Sequence, residues 1–349
     1  MSSGFFRLFL ALIVVFHHSL GFFGFGAVAV YLFFVLSGYW TSRMWDQKYS
    51  KLKFSYAAFV LSRWLRIVPV LLFCVLSYSL ASLGAPEILP GGVDLLLSPQ
   101  WWTRTALLVG ITTQPLILAP AWSLAVEMQF YLLLPLAIGI WSAFRLGNRG
   151  WTVVFLCIGL FHLFVGYSSM SGNVLLFLTF FWFGIRHWKQ SCASHAGTLK
   201  WGLIGFTTLV IISISIPSYR IFLTNYPEGR TEQIATIQNL FSYIAAILLV
   251  PVALNSVGRS GGSLDRWLGN LSYPVYLFHM IPIKIYYAYR DQIEIPGIVL
   301  LAVTWTACLL GSILILQYVD RPCEHLRGNL LRRFSKRLPR QQEPGTSRI

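Results

Sequence analysis

The sequence predicts an all-α, polytopic membrane helix bundle of about ten transmembrane helices, with both termini in the cytoplasm. Three observations carry that prediction. Of the 349 residues, 56% are hydrophobic and only 11% are charged, whereas a soluble chain has roughly a quarter of its residues charged. Apolar runs of about 20 residues recur along the chain, the length that crosses ~30 Å of hydrocarbon at ~1.5 Å per residue. The lysines and arginines fall unevenly on the segments between those runs.

The runs lie near 5–22, 25–42, 56–82, 122–142, 151–168, 172–187, 201–217, 236–255, 269–288 and 297–318. Residues 93–111, VDLLLSPQWWTRTALLVGI, are poorer in apolar residues and hold Asp94 and Arg104. We read them as a partial or interfacial segment, because a full span there would reverse everything downstream. With the N-terminus inside, 22 of the 27 lysines and arginines face the cytoplasm and five face outward: Arg104, Arg220, Arg230, Lys284 and Arg290. Positive charge concentrates on the cytoplasmic side of membrane proteins, so this split sets the orientation of a multi-pass membrane protein with both termini in the cytoplasm.

Residues 1–320 are expected to form one transmembrane domain, and 321–349 a basic, disordered cytoplasmic tail near anionic lipid. No internal repeat is visible. The longest loops, 84–121 and 43–55, are too short to fold alone, so any chemistry must occur within the bundle or at its faces. The net charge of +15 raises the question of nucleic acid. Its basic residues lie between apolar runs and in the tail, which argues for membrane orientation instead. The five cysteines (Cys74, Cys157, Cys192, Cys308, Cys323) show no CxxC and no metal-ligand spacing, which favours small apolar helix residues over disulfide or metal roles; no metal is expected. Ala27-Val28-Ala29 resembles a signal-peptidase site, but it lies inside the second apolar run, and the first run reads as a retained helix.

Ionisable side chains inside spans cost at least ~2.5 kcal/mol for Arg or Asp on insertion scales and so mark function. Those present are Arg7, His17, His18, Glu127, His162, His279 and, near a span end, Lys284. Arg7 and His18 are eleven residues apart, about 1100° of helical rotation, so they share a face roughly 16 Å apart; His17 turns toward another neighbour. The bland alternative is that Arg7 snorkels to the interface and His18 packs. In PAWSLAVEMQFYLLLP, Pro120 and Trp122 suit an interfacial helix start, and Ser123, Glu127 and Tyr131 recur on one face. An acid in the first helical turn offsets the helix dipole, but Glu127 falls in the second turn, which favours a functional carboxyl. In SRWLRIVP, Arg63 and Arg66 place two guanidiniums on nearly one face, suited to phosphate or carboxylate and equally to positive-inside anchoring. Ser37-Gly38 in YLFFVLSGYW suggests a kink or close helix approach. Pro274 in LGNLSYPVYLFHMIP frees a carbonyl near Asn270 and Ser272, five residues before His279, a break of the kind that lines cavities.

Taken in order, Arg7-x10-His18, FFVLSGY (33–39), RWLRIVP (63–69), WSLAVEMQFYLLLP (122–135), LGNLSYPVYLFH (268–279) and DRP (320–322) resemble the acyltransferase-3 family of bacterial membrane O-acyltransferases. The resemblance implies a ten-helix bundle that moves an acyl group, most often acetyl from cytoplasmic acetyl-CoA, to a hydroxyl of an extracytoplasmic glycan. It implies function for Arg7 and His18, for Arg63 and Arg66 on the donor side, and for Ser123 and Glu127. Where the family often has a small residue and Ala-rich steps after the first arginine, this chain has Leu8-Phe9-Leu10. The fused hydrolase-like domain of many relatives is not present in these residues.

On that basis His18 is the expected general base for the sugar hydroxyl, since neutral imidazole survives in a membrane; a covalent acyl-histidine is the alternative. Arg7, Arg63 and Arg66 are expected at the phosphates of acyl-CoA, and Glu127 near the opposite face as acceptor-orienting group or proton relay. Ser37, Tyr39, Trp122, Ser123, Tyr131 and His279 are expected to line the substrate. No permanently bound cofactor is expected. The expected partners are acyl-CoA, a glycan or lipid-linked saccharide, membrane lipid and polysaccharide-biosynthesis proteins. A transporter or flippase would also need polar groups in a bundle, but favours inverted repeats or paired broken helices. A polytopic glycosyltransferase would want acids in an early outer loop, and Gly21–Gly24 has none.

Overall fold

A computed structural model describes residues 1–20, 25–84, 97–108, 118–143, 147–165, 173–190, 196–216, 232–259, 261–292 and 296–335. Among these residues the chain is helical, with no strand: a polytopic membrane helix bundle. The helices are α1 (Ser3–Leu20), α2 (Gly26–Gln47), α3 (Ser55–Gly84), α4 (Pro99–Leu107), α5 (Trp122–Ala143), α6 (Asn148–Phe164), α7 (Val174–Gln190), α8 (Ala196–Ser215), α9 (Glu232–Val257), α10 (Ser263–Phe278), α11 (Met280–Tyr289), α12 (Gly297–Ile315) and α13 (Arg321–Ser335). Among the described residues, each of the ten apolar runs contains a helix, the ninth as the pair α10–α11. Six segments, Ser3–Leu20, Ser55–Gly84, Ala119–Trp141, Gly197–Ser215, Ile234–Val257 and Gly297–Arg332, are long and apolar enough to cross a membrane by length and composition. α4 has nine residues, about 14 Å of helix, too short to cross. The Ser98 hydroxyl caps it by accepting from the Trp101 amide.

Apolar surface gains little by moving from lipid tails into protein, so close backbone packing holds such a bundle together. α2 and α7 meet at glycines: a Cβ on Gly38 would stand 2.2 Å from the Phe181 carbonyl oxygen, and one on Gly184 2.1 Å from that of Val35. Around this contact the Phe130 and Phe181 rings stack at 3.8 Å and Phe34 lies 4.9 Å from Phe181, tying α5 to the same core. α1 and α10 meet at Gly4 and Gly269, where a Cβ on Gly269 would reach 3.0 Å from the Gly4 Cα. By contrast α8 exposes Trp201, Leu203, Ile204, Ile211 and Ile212, as a lipid-facing helix does.

The first turn of α1 contains no acid of its own, yet its free amides need acceptors. Asp265, in the first turn of α10, supplies one. Its Oδ1 accepts from the Phe5 amide at 2.8 Å and from the Ser2 hydroxyl. Asp265 precedes the apolar part of α10. Burial pushes its carboxyl up, but the hydrogen bonds from Ser2, Phe5 and Gly4 outweigh that and hold it below the ordinary value.

Two expectations are corrected here. The chain does not fall into a disordered tail at Arg321. α12 continues through a π-helical turn, Leu316–Asp320, into α13, and residues 336–349 lie outside those described. Nor does the helix break at Pro274, which sits inside α10. The helical path continues through His279, which keeps a helical backbone, donates its amide to Val275 and accepts from Ile283; the ladder lacks one bond there, because Pro282 has no amide to offer the Phe278 carbonyl.

Two predictions follow from this packing. Gly184→Val, which needs α2 and α7 to separate, should cost about 1–3 kcal/mol of stability as overpacking does, read as a lower melting temperature in detergent. Because the carboxyl of Asp265 is depressed in the fold, its contribution is present above the unfolded value of about 3.9 and lost as pH falls through the folded one. Asp265→Asn should lower stability near pH 7 by about 1 kcal/mol, the size of an N-cap, and remove that acid-dependent part of the melting curve.

Candidate active site

The end of the bundle that carries the N-terminus of α1 holds the arginines. Arg66, on α3, donates from Nη1 to both Asp320 oxygens at 3.0 Å and to Glu324 at 2.8 Å, and lies 5.9 Å over the Tyr273 ring. Glu324 also pairs with Arg327. The π turn makes this possible: it turns the Asp320 side chain inward to 4% exposure, while Tyr318 beside it faces out. An extra residue in a helical turn re-aims a side chain in this way. Arg63, three residues from Arg66, is buried at 6% exposure and has no carboxylate partner among the described residues. Its guanidinium lies 5.9 Å over the Tyr131 ring, donates to the Met44 sulfur at 3.5 Å, bonds to the Tyr49 side chain, and leaves Nε without a partner. The structure therefore divides the Arg63/Arg66 pair into one guanidinium held by two carboxylates and one held only by neutral groups.

Deeper in the bundle lies Glu127. Its Oε1 accepts from the Ser37 hydroxyl of α2 at 2.6 Å and from the Tyr131 hydroxyl one turn on, and Ser37 and Tyr131 are themselves 3.4 Å apart. The buried Arg7 guanidinium shares its surroundings with Arg66, Glu127, Tyr131 and Asp320. Glu127 thus belongs electrostatically to the arginine end, not to the opposite face where we expected it. The reason is visible at the start of α5. Leu118, Pro120, Ala121 and Trp122 are buried, so the helix begins submerged in protein instead of at an interface, and its second turn reaches the middle of the bundle.

Trp122 itself packs against Phe34 and Phe177, away from these polar groups. Ser123 turns from the Glu127 cluster toward α10: its hydroxyl lies 2.8 Å from that of Tyr276, and both reach the Pro120 carbonyl, at 3.0 and 3.1 Å. Tyr39 packs on Trp40, His187 and Trp188 and joins neither group.

One turn beyond Tyr276 is His279, fully buried. Its ring centroid lies 5.3 Å from that of His18 at the far end of α1, with the planes 29° apart, and 6.5 Å from the Tyr276 ring. His17 lies edge-on to His18 at 4.9 Å, with its ring against Gly26 at the start of α2. Polar side chains thus run through an apolar bundle from Arg66 and Arg7, past Glu127, Tyr131 and Ser37, then Ser123 and Tyr276, to His279 and His18.

The acyltransferase-3 family model, described as an acyltransferase domain, matches residues 4–319. The chain belongs to the acyltransferase-3 family. Acyltransferase MdmB of Streptomyces mycarofaciens is 34% identical over 123 residues, 32% of this chain and 28% of that protein, so the chain matches under a third of that relative's length. No solved structure matches.

Within this acyltransferase-3 chain, reading the sequence missed Asp320, Glu324 and Tyr276 as parts of the site. Asp320 had a signal: it is one of only twelve acids and directly follows an apolar run, so a basic partner inside the bundle was to be sought. Tyr276 had none, because its role depends on meeting Ser123 from a helix 153 residues away.

Removing one partner of a buried ion pair leaves the other uncompensated. Asp320→Ala should therefore destabilise the protein by roughly 3 kcal/mol, and Glu324→Ala, whose side chain is 30% exposed, by roughly 1 kcal/mol or less. Melting of the two variants in detergent checks the order.

Proposed function

We propose that this protein is a membrane O-acyltransferase that moves an acyl group, most simply acetyl, from cytoplasmic acyl-CoA to a hydroxyl of a cell-surface or lipid-linked saccharide. The observation that carries this reading is the line of polar side chains joining the arginine end to His18, in a chain whose family is the acyltransferase-3 family. Such groups are expensive in a membrane and are kept for chemistry.

In this reading the phosphates of acyl-CoA dock at the arginine end. Arg7 and Arg63 meet them, since Arg66 is already held by Asp320 and Glu324. The pantetheine arm extends toward the histidines. The sugar hydroxyl is not ionised at neutral pH and is a poor nucleophile. His18 removes its proton as the oxygen attacks the thioester carbonyl, the C–S bond breaks, and coenzyme A leaves as a thiolate that takes up a proton. A general base so placed supplies roughly 10²–10⁴-fold. Glu127, already accepting from Ser37 and Tyr131, compensates Arg7 near the donor path and holds that wall of the cavity in one arrangement.

The test is transfer of labelled acetyl from acetyl-CoA by the purified protein to glycan from the source membrane. His18→Ala should lower kcat by roughly 10²–10⁴-fold, while His17→Ala stays within a few-fold of wild type. Glu127→Gln should raise KM for acetyl-CoA more than it lowers kcat. Saccharide movement across vesicles without consumption of acetyl-CoA would replace this reading with a flippase.

A further inference from the structure

His279 carries an unused capability. Its Nδ1 lies 3.0 Å from the Val275 carbonyl oxygen, which can only accept, so Nδ1 bears the hydrogen. In the neutral ring the lone pair is then on Nε2. That atom is buried and has no hydrogen-bond partner, a condition that costs about 1–3 kcal/mol unless something uses it. Solvent does not reach it, since the residue is fully buried. The polar groups near it are those of Tyr276, Cys308, His18 and His17, the last lying beyond the His18 ring, 4.9 Å from it edge-on. The Tyr276 hydroxyl is engaged by Ser123 and Pro120, and the Cys308 sulfur approaches only the His279 backbone oxygen, at 3.8 Å. The His18 ring is 5.3 Å away, centroid to centroid. Ring nitrogens sit over an ångström from the centroid, so the pair comes to roughly 3 Å, hydrogen-bonding distance, when a nitrogen of each ring lies on the line between the two centroids.

We propose that His279 is the positioning partner of His18, a sealed neutral acceptor behind the base. The inference rests on the acyl-transfer reading above. When one His18 nitrogen takes the proton of the acceptor hydroxyl, the ring becomes an imidazolium. The N–H on its other nitrogen then donates to His279 Nε2, while the acyl C–S bond breaks and the thiolate departs. The proton stays on His18 until coenzyme A or water removes it. His279 itself neither gains nor loses a proton. It fixes which His18 nitrogen is free to act as base, the part a carboxylate plays in other base dyads, without placing a second charge in the membrane.

The local backbone serves this role. Pro282 removes one ladder bond beside His279, while the His279 Nδ1 stays anchored to the preceding turn through Val275. The ring is therefore held by α10 and its free nitrogen is turned toward no partner on its own helix.

The test compares His279→Gln, whose amide oxygen can still accept, with His279→Leu and His279→Met, which fill space but cannot. The apolar variants should lose about 100-fold in kcat, within the range of general-base assistance, with KM for acetyl-CoA unchanged. His279→Gln should stay within about tenfold of wild type, and His18→Ala combined with His279→Leu should be no slower than His18→Ala alone, because the pair acts as a unit. Equal losses in the glutamine and apolar variants, a loss confined to KM, or an apolar variant with full kcat would each overturn the proposal. Wild-type protein that transfers no acyl group in the same assay would instead overturn the acyl-transfer reading.

Discussion

Everything in this bundle is arranged around buried positive charge. Arg7, Arg63 and Arg66 enter an apolar interior from a chain with more than twice as many bases as acids, and an uncompensated guanidinium there is costly. The Asp320–Arg66–Glu324 contact is the answer on which other features depend. It requires the π turn, because only an extra residue between α12 and α13 aims Asp320 inward. It holds α13 against α3, so residues that composition suggested were tail become part of the fold. It also sets Arg66 apart from the other two, since a guanidinium already bound by two carboxylates has little left to offer an anion.

Helix positions were legible in the sequence because each apolar run is a local signal of length and hydropathy. The shared face of Arg7 and His18 was legible for the same reason, being fixed by helical rotation alone. What failed to show were features decided by contacts distant in sequence. Trp122 read as an interfacial residue, as tryptophans at helix starts usually are, yet it packs on Phe34 and Phe177 and drags Glu127 toward Arg7. Pro274 read as the break in the ninth span, but a proline can remain in a helix if its orphaned carbonyl finds another partner or a tolerant environment. Pro282 likewise leaves the helical path unbroken and removes one ladder bond beside His279.

The division of labour among the polar residues follows from how fully each is satisfied. Arg66, Asp320, Ser123 and Tyr276 have found partners and act as struts. Arg63 with its bare Nε and His279 with its bare Nε2 have not. Native interiors leave few such atoms without a reason, and these two lie near opposite ends of the same polar line. An unsatisfied donor at the arginine end suits an anionic group, and an unsatisfied acceptor at the histidine end suits a donated N–H. Of the buried atoms without a hydrogen-bond partner, these two have the polarities that the proposed phosphate-bearing donor and protonated base would need.

Spacing makes a stronger point than polarity. The rise of α1 from Arg7 to His18 is roughly 16 Å, so under the proposed acyl-transfer reading a donor held by its phosphates at the arginine end would reach His18 only through an extended arm. A coenzyme A thioester separates its phosphates from its reactive carbon by such an arm. A base working in lipid must be able to stay uncharged until the proton arrives, which favours an imidazole at the His18 position over a second permanent charge.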